Sequence, residues 1–209
     1  MGSLYCLMGK SSTGKDTLFS RLIADKTLGL RPVVLYTTRP KRSHEKDGRT
    51  YHFITPQQLA EHEAAGRVIE RRTYRTVQGD WHYCTLDDGQ IDLDSASYLM
   101  ITVPSGFEAL RARFSNERVV PLYIWVDDDV RLIRAISRER RQQKPDYDEL
   151  CRRFLADNRD FSEEMLSRLG IKKRYRNDSL KECVAALKAD ILSRMRDEKK
   201  AHNIEKTTD

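Results

Sequence analysis

The sequence predicts an α/β fold in which helices cover a parallel sheet. Two observations support this: short apolar segments suited to buried strands alternate with amphipathic segments, and a glycine-rich turn follows the first apolar segment. The predicted strands are residues 3–8 (SLYCLM), 32–38 (PVVLYTT), 98–103 (YLMITV) and 119–126 (VVPLYIWV). A chain of 209 residues is long enough for one sizeable core, so we expect a single domain.

The helices are predicted from apolar spacing and from proline and glycine boundaries. Apolar residues recur at helical spacing after Asp16, and residues 56–66 begin with proline and end with glycine. Residues 67–74 suit a strand or hairpin arm. Further helices are predicted from Ser105, over 129–141 and over 146–169, with a hinge at QQKP between the last two. A C-terminal helix is predicted from its apolar inner face, which consists of Leu180, Val184, Leu187, Ile191 and Met195.

Composition limits the location and partners of the chain. Hydrophobic residues make up 39% and charged residues 33%, and no apolar run approaches the roughly 20 residues of a membrane span. The N-terminal MGSLYCLM lacks the features of a signal peptide, so we expect a cytoplasmic protein without a membrane partner. The net charge of +6 fits nucleic acid or a small polyanion. No RNA-binding or recognition-helix motif is present, so small phosphorylated molecules are favoured and nucleic acid is unlikely.

Cysteine and histidine spacing does not indicate a metal site. The four cysteines lie far apart without a C-x-x-C pair, which argues against zinc and against a disulfide framework. The five histidines show no ligand spacing either. We expect these residues to be structural or exposed.

The segment MGKSSTGKDTLFSR, residues 8–21, contains the spacing of a phosphate-binding loop. In such a loop, backbone N–H groups and the start of the following helix bind phosphate oxygens, and a lysine reaches the terminal phosphates. Asp16 stands where a magnesium-binding serine or threonine is expected, so either Asp16 or the next residue, Thr17, could orient magnesium, or Asp16 could merely cap the helix. The residues predicted to bind ATP here are Gly9, Ser11, Ser12, Thr13, Gly14, Lys15, Asp16 and Thr17.

A second segment, TTRPKRSHEKDGRTYHF at residues 37–53, resembles the monophosphate-binding segment of the guanylate kinase family. The family pattern T-T-R-x-x-R-x-x-E-x-x-G-x-x-Y-x-F is met throughout. Arg39 and Arg42 are spaced to hold one phosphate from two sides, and the Tyr51 hydroxyl can complete the shell. The resemblance implies a three-layer P-loop kinase fold with an inserted nucleotide-binding lobe and a helical lid.

The resemblance also implies a division of the single domain, 1–209. The core would comprise residues 1–34, 98–134 and 170–198. The nucleotide-monophosphate-binding lobe would span about 35–97 and the lid about 135–169, and a frayed polar tail would follow at 199–209.

Further site residues are implied by position within the family pattern. Glu70 resembles the glutamate that reads guanine, and Tyr83 and Thr85 resemble the family's Y-G-[ST], although Cys84 replaces the glycine. Arg138 and Arg153 resemble the lid arginines, with Arg140, Arg141 and Arg152 as rivals. Asn177 resembles a residue near the adenine of ATP.

The sequence departs from the family where the base is read. Leu35 replaces a serine and Val103 replaces an aspartate, so two polar base readers are absent while both phosphate-reading arginines remain. A pocket without these partners should discriminate guanine less sharply.

The resemblance implies an ATP- and magnesium-dependent nucleoside monophosphate kinase acting on GMP or dGMP, as a monomer or homodimer. Its predicted catalytic residues are Lys15, Arg39, Arg138 and Arg153. The alternatives are a kinase of a phosphorylated sugar, similar to the ribose 1,5-bisphosphate phosphokinases, or of another nucleotide. A non-catalytic binding module of the same fold is a third alternative.

Overall fold

The computed structural model describes residues 2–42, 45–76 and 79–208, with side chains described up to residue 200. A five-stranded parallel sheet forms its centre, in the order β2-β7-β1-β8-β9. The predicted α/β fold with a parallel sheet is therefore confirmed. The strands of this sheet are β1 (Leu4–Met8), β2 (Arg31–Pro32), β7 (Tyr98–Ile101), β8 (Val119–Trp125) and β9 (Arg174–Arg176).

Helices cover both faces of this sheet because the central strand is apolar on both sides. From β1, Tyr5 and Leu7 pack with α1 (Lys15–Ala24) and α7 (Leu180–Thr208). The alternate residues of β1 face a second cluster that includes Phe107 of α3 (Pro104–Phe114). Burial on both faces is typical of parallel sheets and gives the continuous apolar runs seen in the sequence.

A second, four-stranded sheet carries the segment that resembles a monophosphate-binding site. Its order is β4-β3-β6-β5, with β3 parallel to β4 and antiparallel to β6. Leu59 of α2 (Pro56–Ala64) packs against this sheet, and Thr55 and Gln58 form a capping box at the start of the helix. The strands are β3 (Tyr36–Thr37), β4 (His52–Phe53), β5 (Val68–Thr76) and β6 (Gly79–Leu86).

The strand predicted over residues 32–38 is divided between the two sheets. The Val33 N–H donates to the Leu99 carbonyl of β7, whereas the Leu35 carbonyl accepts from the His52 N–H of β4. The residues are apolar along the whole run because they are shielded from solvent in either sheet. The composition therefore does not reveal that the paired strand changes from β7 to β4. The prediction of one strand is wrong here.

The predicted helix over residues 146–169 is also divided, into α5 (Tyr147–Asp160) and α6 (Glu163–Arg168). The break lies at Ser162, whose side chain accepts from the Met165 N–H and so caps α6. The preceding helix, α4 (Asp128–Glu139), lies close to its prediction. At the C-terminus α7 continues to Thr208 and includes most of the predicted tail, and no helix in the described ranges is long and apolar enough to cross a membrane.

Candidate active site

The loop between β1 and α1 bends at two glycines that leave no room for a side chain. A Cβ on Gly9, which has a φ of 156°, would lie 2.5 Å from the Ile124 carbonyl oxygen. A Cβ on Gly14, with a φ of 88°, would lie 2.6 Å from Asn177 Nδ2. Ser12 also has a positive φ, and its buried Oγ has no hydrogen-bond partner among the residues described. This hydroxyl is available to a ligand of the loop.

Lys15 is the first residue of α1, and its ammonium group turns back over the loop. Nζ donates to the carbonyl oxygens of Gly9 at 2.6 Å and Lys10 at 2.9 Å. Burial lowers the pKa of Lys15 to about 8, and the carboxylates of Asp157 and Asp16 partly oppose this shift by favouring the charged form. A lysine at this position can supply positive charge to an anion in the loop.

We expect ATP binding to weaken as the pH rises above the Lys15 pKa of about 8. Bound phosphates stabilise the charged lysine and raise its pKa, so binding is accompanied by proton uptake wherever the free protein has lost this proton. The affinity should then fall by up to about tenfold per pH unit. Calorimetry in buffers of different ionisation enthalpy measures the uptake, and Lys15→Met should abolish it. No uptake by the unmodified protein at about pH 9 would contradict the expectation.

Arg131 of α4 links the loop to α5 and is only 1% exposed. Its guanidinium donates to the Ser11 carbonyl oxygen at 3.2 Å, to Asp128 Oδ1 at 2.9 Å and to Asn158 Oδ1 at 3.2 Å. The guanidinium carbon also lies 4.4 Å from the centre of the Phe154 ring, within the range of a cation–π contact. Arg131 therefore holds three chain segments together.

A carboxylate of α5 occupies one backbone amide of the loop. The Ser11 N–H donates to Asp157 Oδ2 at 2.7 Å, and Arg131 Nη1 lies 3.4 Å from the same oxygen. Asp157 also interacts electrostatically with Lys15. The loop thus has an internal anion next to the groups predicted to bind phosphate.

Asn177, the residue that follows β9, supports the loop. Its side-chain amide is buried and donates to the Thr13 carbonyl oxygen at 2.7 Å, while Arg134 Nη2 donates to its backbone carbonyl at 3.1 Å. Thr13 Oγ1 in turn donates to the Lys10 carbonyl oxygen. These contacts fix the loop in its bent conformation. The predicted position of Asn177 near adenine stays a prediction.

Asp16 and Thr17 are exposed in the first turn of α1. Neither side chain has a hydrogen-bond partner in the part of the chain that is described. Carboxylate and hydroxyl oxygens are ligands suited to Mg²⁺, which retains several waters and needs few protein ligands. The pair therefore fits the predicted metal, without a side-chain cap of the helix by Asp16.

Arg39 lies in the second sheet as the centre of a buried polar cluster. Its guanidinium makes a two-point ion pair with Glu45, with Nη1 3.0 Å from Oε2 and Nη2 2.7 Å from Oε1. Nε donates to the Tyr83 hydroxyl at 3.0 Å and Nη1 to the Pro40 carbonyl oxygen at 2.8 Å. Four of the five guanidinium N–H groups are thus used within the protein.

Glu45 is a buried partner that the motif contains but whose role the sequence analysis did not predict. Its Oε2 also accepts from the Arg42 backbone N–H at 2.8 Å. The hydrogen bond from Arg39 lowers the pKa of Glu45 to about 2. The Arg42 side chain is exposed and has no hydrogen bond or ion pair within residues 2–42, 45–76 and 79–208. Of the two arginines predicted to hold the acceptor phosphate, Arg42 is therefore the one that can bind it without giving up a protein partner.

The rings of Tyr51 and Tyr83 lie beside the Arg39 guanidinium. The guanidinium carbon is 5.6 Å from the centre of the Tyr51 ring, and the two tyrosine rings contact edge to face at 5.5 Å. Burial raises the pKa of Tyr51, so its hydroxyl is a neutral hydrogen-bond donor near neutral pH. Pairing of β3 with β6 brings Tyr83 to this cluster from 44 positions along the chain.

Glu70 lies further along the same sheet and is buried. Its Oε1 accepts from Thr85 Oγ1 at 2.9 Å, and its carboxylate pairs with Arg72. Leu35 and Val103 are partly buried and pack against the apolar core. The structure thus brings together Glu70 and Thr85, two of the residues predicted to bind the substrate, and gives Leu35 and Val103 an apolar environment.

The chain was compared with known proteins. The family model described as guanylate kinase matches residues 1–82. The guanylate kinase of Neisseria gonorrhoeae is 37% identical over 123 residues, which are 59% of this chain and 58% of that protein. The enzyme of Cupriavidus metallidurans is 26% identical over 183 residues, 87% of this chain and 80% of that protein.

This chain is similar to guanylate kinases in sequence over residues 1–82 and in fold over most of its length. The family resemblance predicted from residues 8–21 and 37–53 is therefore confirmed. The crystal structure of guanylate kinase from Anaplasma phagocytophilum matches with a TM-score of 0.58 over 92% of this chain and 85% of that one, at 19% identity, which supports the fold alone. The chain spans little more than half the length of the Neisseria relative that it matches.

The predicted lid arginines of this chain differ in their surroundings. Arg153 Nη2 lies 3.5 Å from Ser11 Oγ, beside the loop. The rival Arg152 pairs with Glu149. Arg138 is exposed, and its side chain contacts none of the described residues through a hydrogen bond or ion pair. The structure therefore brings Arg153 to the loop and does not bring Arg138 there.

Sequence reasoning missed four charged residues of the site: Arg72, Glu45, Arg131 and Asp157. Arg131 and Asp157 lie in helices whose charged residues suit a solvated face, so no pattern distinguishes the buried ones. The only sequence signal for Arg131 is its position three residues after Asp128.

Proposed function

We propose that this chain transfers a phosphoryl group from ATP to the phosphate of a nucleoside monophosphate, with GMP and dGMP as the first candidates. The observation that carries the proposal is the cluster of Arg39, Tyr51 and Tyr83. Arg39 and Tyr51 lie within residues 1–82, which the guanylate kinase family model matches, and Tyr83 follows directly. A phosphate-binding loop with Lys15 completes the requirements for a donor and an acceptor site.

The donor site stabilises charge rather than forming covalent bonds. Phosphoryl transfer needs the two substrates in line, water excluded and the charge of the moving group neutralised. Lys15 and the loop amides would hold the donor phosphates, once the Asp157 carboxylate has left the Ser11 N–H. Gly9, Ser12 and Gly14 give the loop its shape.

Asp16 and Thr17 are the residues that would hold magnesium, directly or through water. When bound, the ion supplies positive charge that neutralises the donor phosphates. The two exposed side chains stand one and two residues after Lys15, in the first turn of α1. This placement supports a joint role with the lysine.

The acceptor site would use Arg42 as its free phosphate-binding arginine. Arg39 retains one N–H for the phosphate and keeps the segment in shape through Glu45. Tyr51 donates from its hydroxyl. No general base is required, because the attacking group is already a phosphate oxygen.

Arg153 and Arg138 would complete the site when α5 and the end of α4 move over the bound phosphates. Arg153 is already beside Ser11, so it needs the smaller movement. The division into a core, an acceptor lobe at 35–97 and a lid at 135–169 stays part of this proposal, as do the cytoplasmic location and the monomeric or homodimeric state.

A phosphorylated sugar is the second candidate acceptor. The observation that favours it is the apolar packing of Leu35 and Val103, which leaves two places without the polar side chains of a guanine pocket. An ADP-release assay with GMP, dGMP, AMP, UMP, CMP and ribose 1,5-bisphosphate distinguishes the candidates. A binding module would release no ADP with any of them.

Replacing Arg42 with alanine tests the acceptor site. We expect the KM for the acceptor to rise at least about tenfold, in line with losing one charge-assisted contact, and the KM for ATP to change less than about twofold. Lys41→Ala is the matched control, because it removes a neighbouring exposed charge. An equal change in both KM values, or the same effect from Lys41→Ala, would place the acceptor elsewhere.

A further inference from the structure

Arg72 faces the same side of the second sheet as the predicted acceptor residues. It lies opposite Tyr83 in the β5–β6 pairing, as Glu70 lies opposite Thr85, and residues paired across antiparallel strands share a face. Its side chain is mostly buried, with 16% of its surface exposed. Arg72 therefore lies on the face of the sheet that carries the predicted acceptor residues, next to the predicted base reader Glu70.

The pair of Arg72 and Glu70 has unused hydrogen-bonding capacity on both sides. Arg72 Nε donates to Glu70 Oε2 at 3.1 Å and Nη2 donates to Oε1 at 3.3 Å. No described residue accepts from Nη1. Glu70 Oε1 also accepts from Thr85, so Oε2 receives one donor and can accept another. The ion pair thus retains an unused N–H on the Arg72 guanidinium and an unused lone pair on the Glu70 carboxylate.

A second unsatisfied group lies next to this pair. Thr102 Oγ1 is buried and has no hydrogen-bond partner within the described ranges. A Cβ on Gly106 would lie 2.3 Å from this hydroxyl and 3.4 Å from Glu70 Oε2, so both groups border the start of α3. This end of the pocket therefore holds polar groups whose partners the protein itself does not supply.

We propose that Arg72 is a specificity-determining residue that, together with Glu70, reads a carbonyl group adjacent to a ring N–H on the acceptor base. Arg72 donates to the carbonyl oxygen and Glu70 Oε2 accepts from the N–H. The inference rests on the proposed function, because it names what the acceptor site recognises.

The purine bases differ in the groups that they would present to Arg72 and Glu70, and this difference separates the nucleotides that can be acceptors from those that cannot. Guanine and hypoxanthine both carry the O6 carbonyl beside N1–H. Adenine carries an amine and an unprotonated N1 at these positions. Its amine donor would therefore face the Arg72 donor, and its N1 lone pair would face the Glu70 carboxylate, so neither hydrogen bond could form. Mismatched buried polar groups discriminate strongly between ligands. GMP and IMP are therefore acceptors of one class, and AMP is excluded.

The 2-amino group of guanine is not read in this arrangement. Val103, at the position where the family has an aspartate, offers no side-chain acceptor and packs against the core. Val103→Asp supplies one and should strengthen the binding of GMP while leaving that of IMP unchanged. This separates the reading of the 6-oxo edge from the reading of the amine.

The test is calorimetric binding of GMP, IMP and AMP to the full chain without ATP. We expect the Kd values of GMP and IMP to agree within about threefold and that of AMP to be at least about thirtyfold higher. Arg72→Met should raise the Kd values of GMP and IMP at least about tenfold and change the Kd of AMP by less than about threefold. Arg71→Met is the matched control, because Arg71 is exposed and pairs with Glu63 instead.

If Arg72→Met does not fold, Arg72→Lys takes its place, because it keeps a positive charge beside Glu70. It should also weaken the binding of GMP and IMP. Equal binding of GMP and AMP, or IMP weaker than GMP by more than about tenfold, overturns the inference. Phosphoryl transfer is measured separately. Preferential binding of GMP and IMP without transfer would overturn the proposed function alone.

Discussion

Lys15→Ala should lower the rate of phosphoryl transfer by at least about a hundredfold, because it removes a preorganised charge that stabilises the transition state. In the structure the ammonium group is already turned over the loop by the carbonyl oxygens of Gly9 and Lys10. The lysine charge is therefore in place before the donor binds, and its loss should lower the rate of the chemical step in addition to weakening ATP binding.

The measurement is single-turnover transfer from ATP at saturating acceptor. Lys10→Ala is the comparison within the same loop, because its ammonium donates to Asn158 at 2.8 Å and not to the loop carbonyls. We expect this variant to lose less than about tenfold. Near-normal turnover of Lys15→Ala would remove the kinase proposal.

Arg39→Met should lower the free energy of unfolding by about 3 kcal/mol, because it leaves the Glu45 carboxylate buried without its partner. Both side chains are almost fully buried, at 4% and 6% exposure. The double variant Arg39→Met with Glu45→Met should recover much of the loss, since no charge is then left unpaired.

Urea unfolding of Arg39→Met, of the double variant and of a control variant measures this effect. Arg71→Met serves again as the control, because its ion pair with Glu63 is exposed, and exposed pairs contribute at most about 1 kcal/mol. Equal destabilisation by Arg39→Met and Arg71→Met would show that the buried pair is not a structural element of the acceptor segment.

Three strands of the central sheet, β1, β7 and β8, could be predicted because their signal is local. Leu4 to Met8 are apolar at every position, as burial on both faces requires. β9 has no such signal, since only Tyr175 of its three residues is buried and two arginines flank it. Its strand conformation depends on pairing with β8, which a single-sequence pattern does not contain.

Residues of the site could be predicted where the loop conformation or the spacing of the family pattern requires a particular residue type. Gly9, Gly14 and Lys15 are fixed by the geometry of the loop, and the spacing of Arg39 and Arg42 is fixed by the family pattern. The roles within the pattern could not be predicted. Only the structure reveals that Arg39 is bound within the protein while Arg42 is free.

The residues that were missed act through partners distant in sequence. Arg131 contacts Ser11, 120 positions away, and Asp157 contacts the same residue from 146 positions away. Such contacts follow from the packing of helices on the sheet. Local charge patterns carry no information about them.

The division of residues 32–38 between the two sheets sets a limit on how the acceptor segment can move. Only residues 33–35 connect β2 to β3. Three residues span at most about 11 Å when fully extended. This short tether keeps the second sheet close to the edge of the central sheet. A glycine or proline placed in it should therefore change the angle between the two sheets while leaving the residues of the loop and of the Arg39 cluster unchanged.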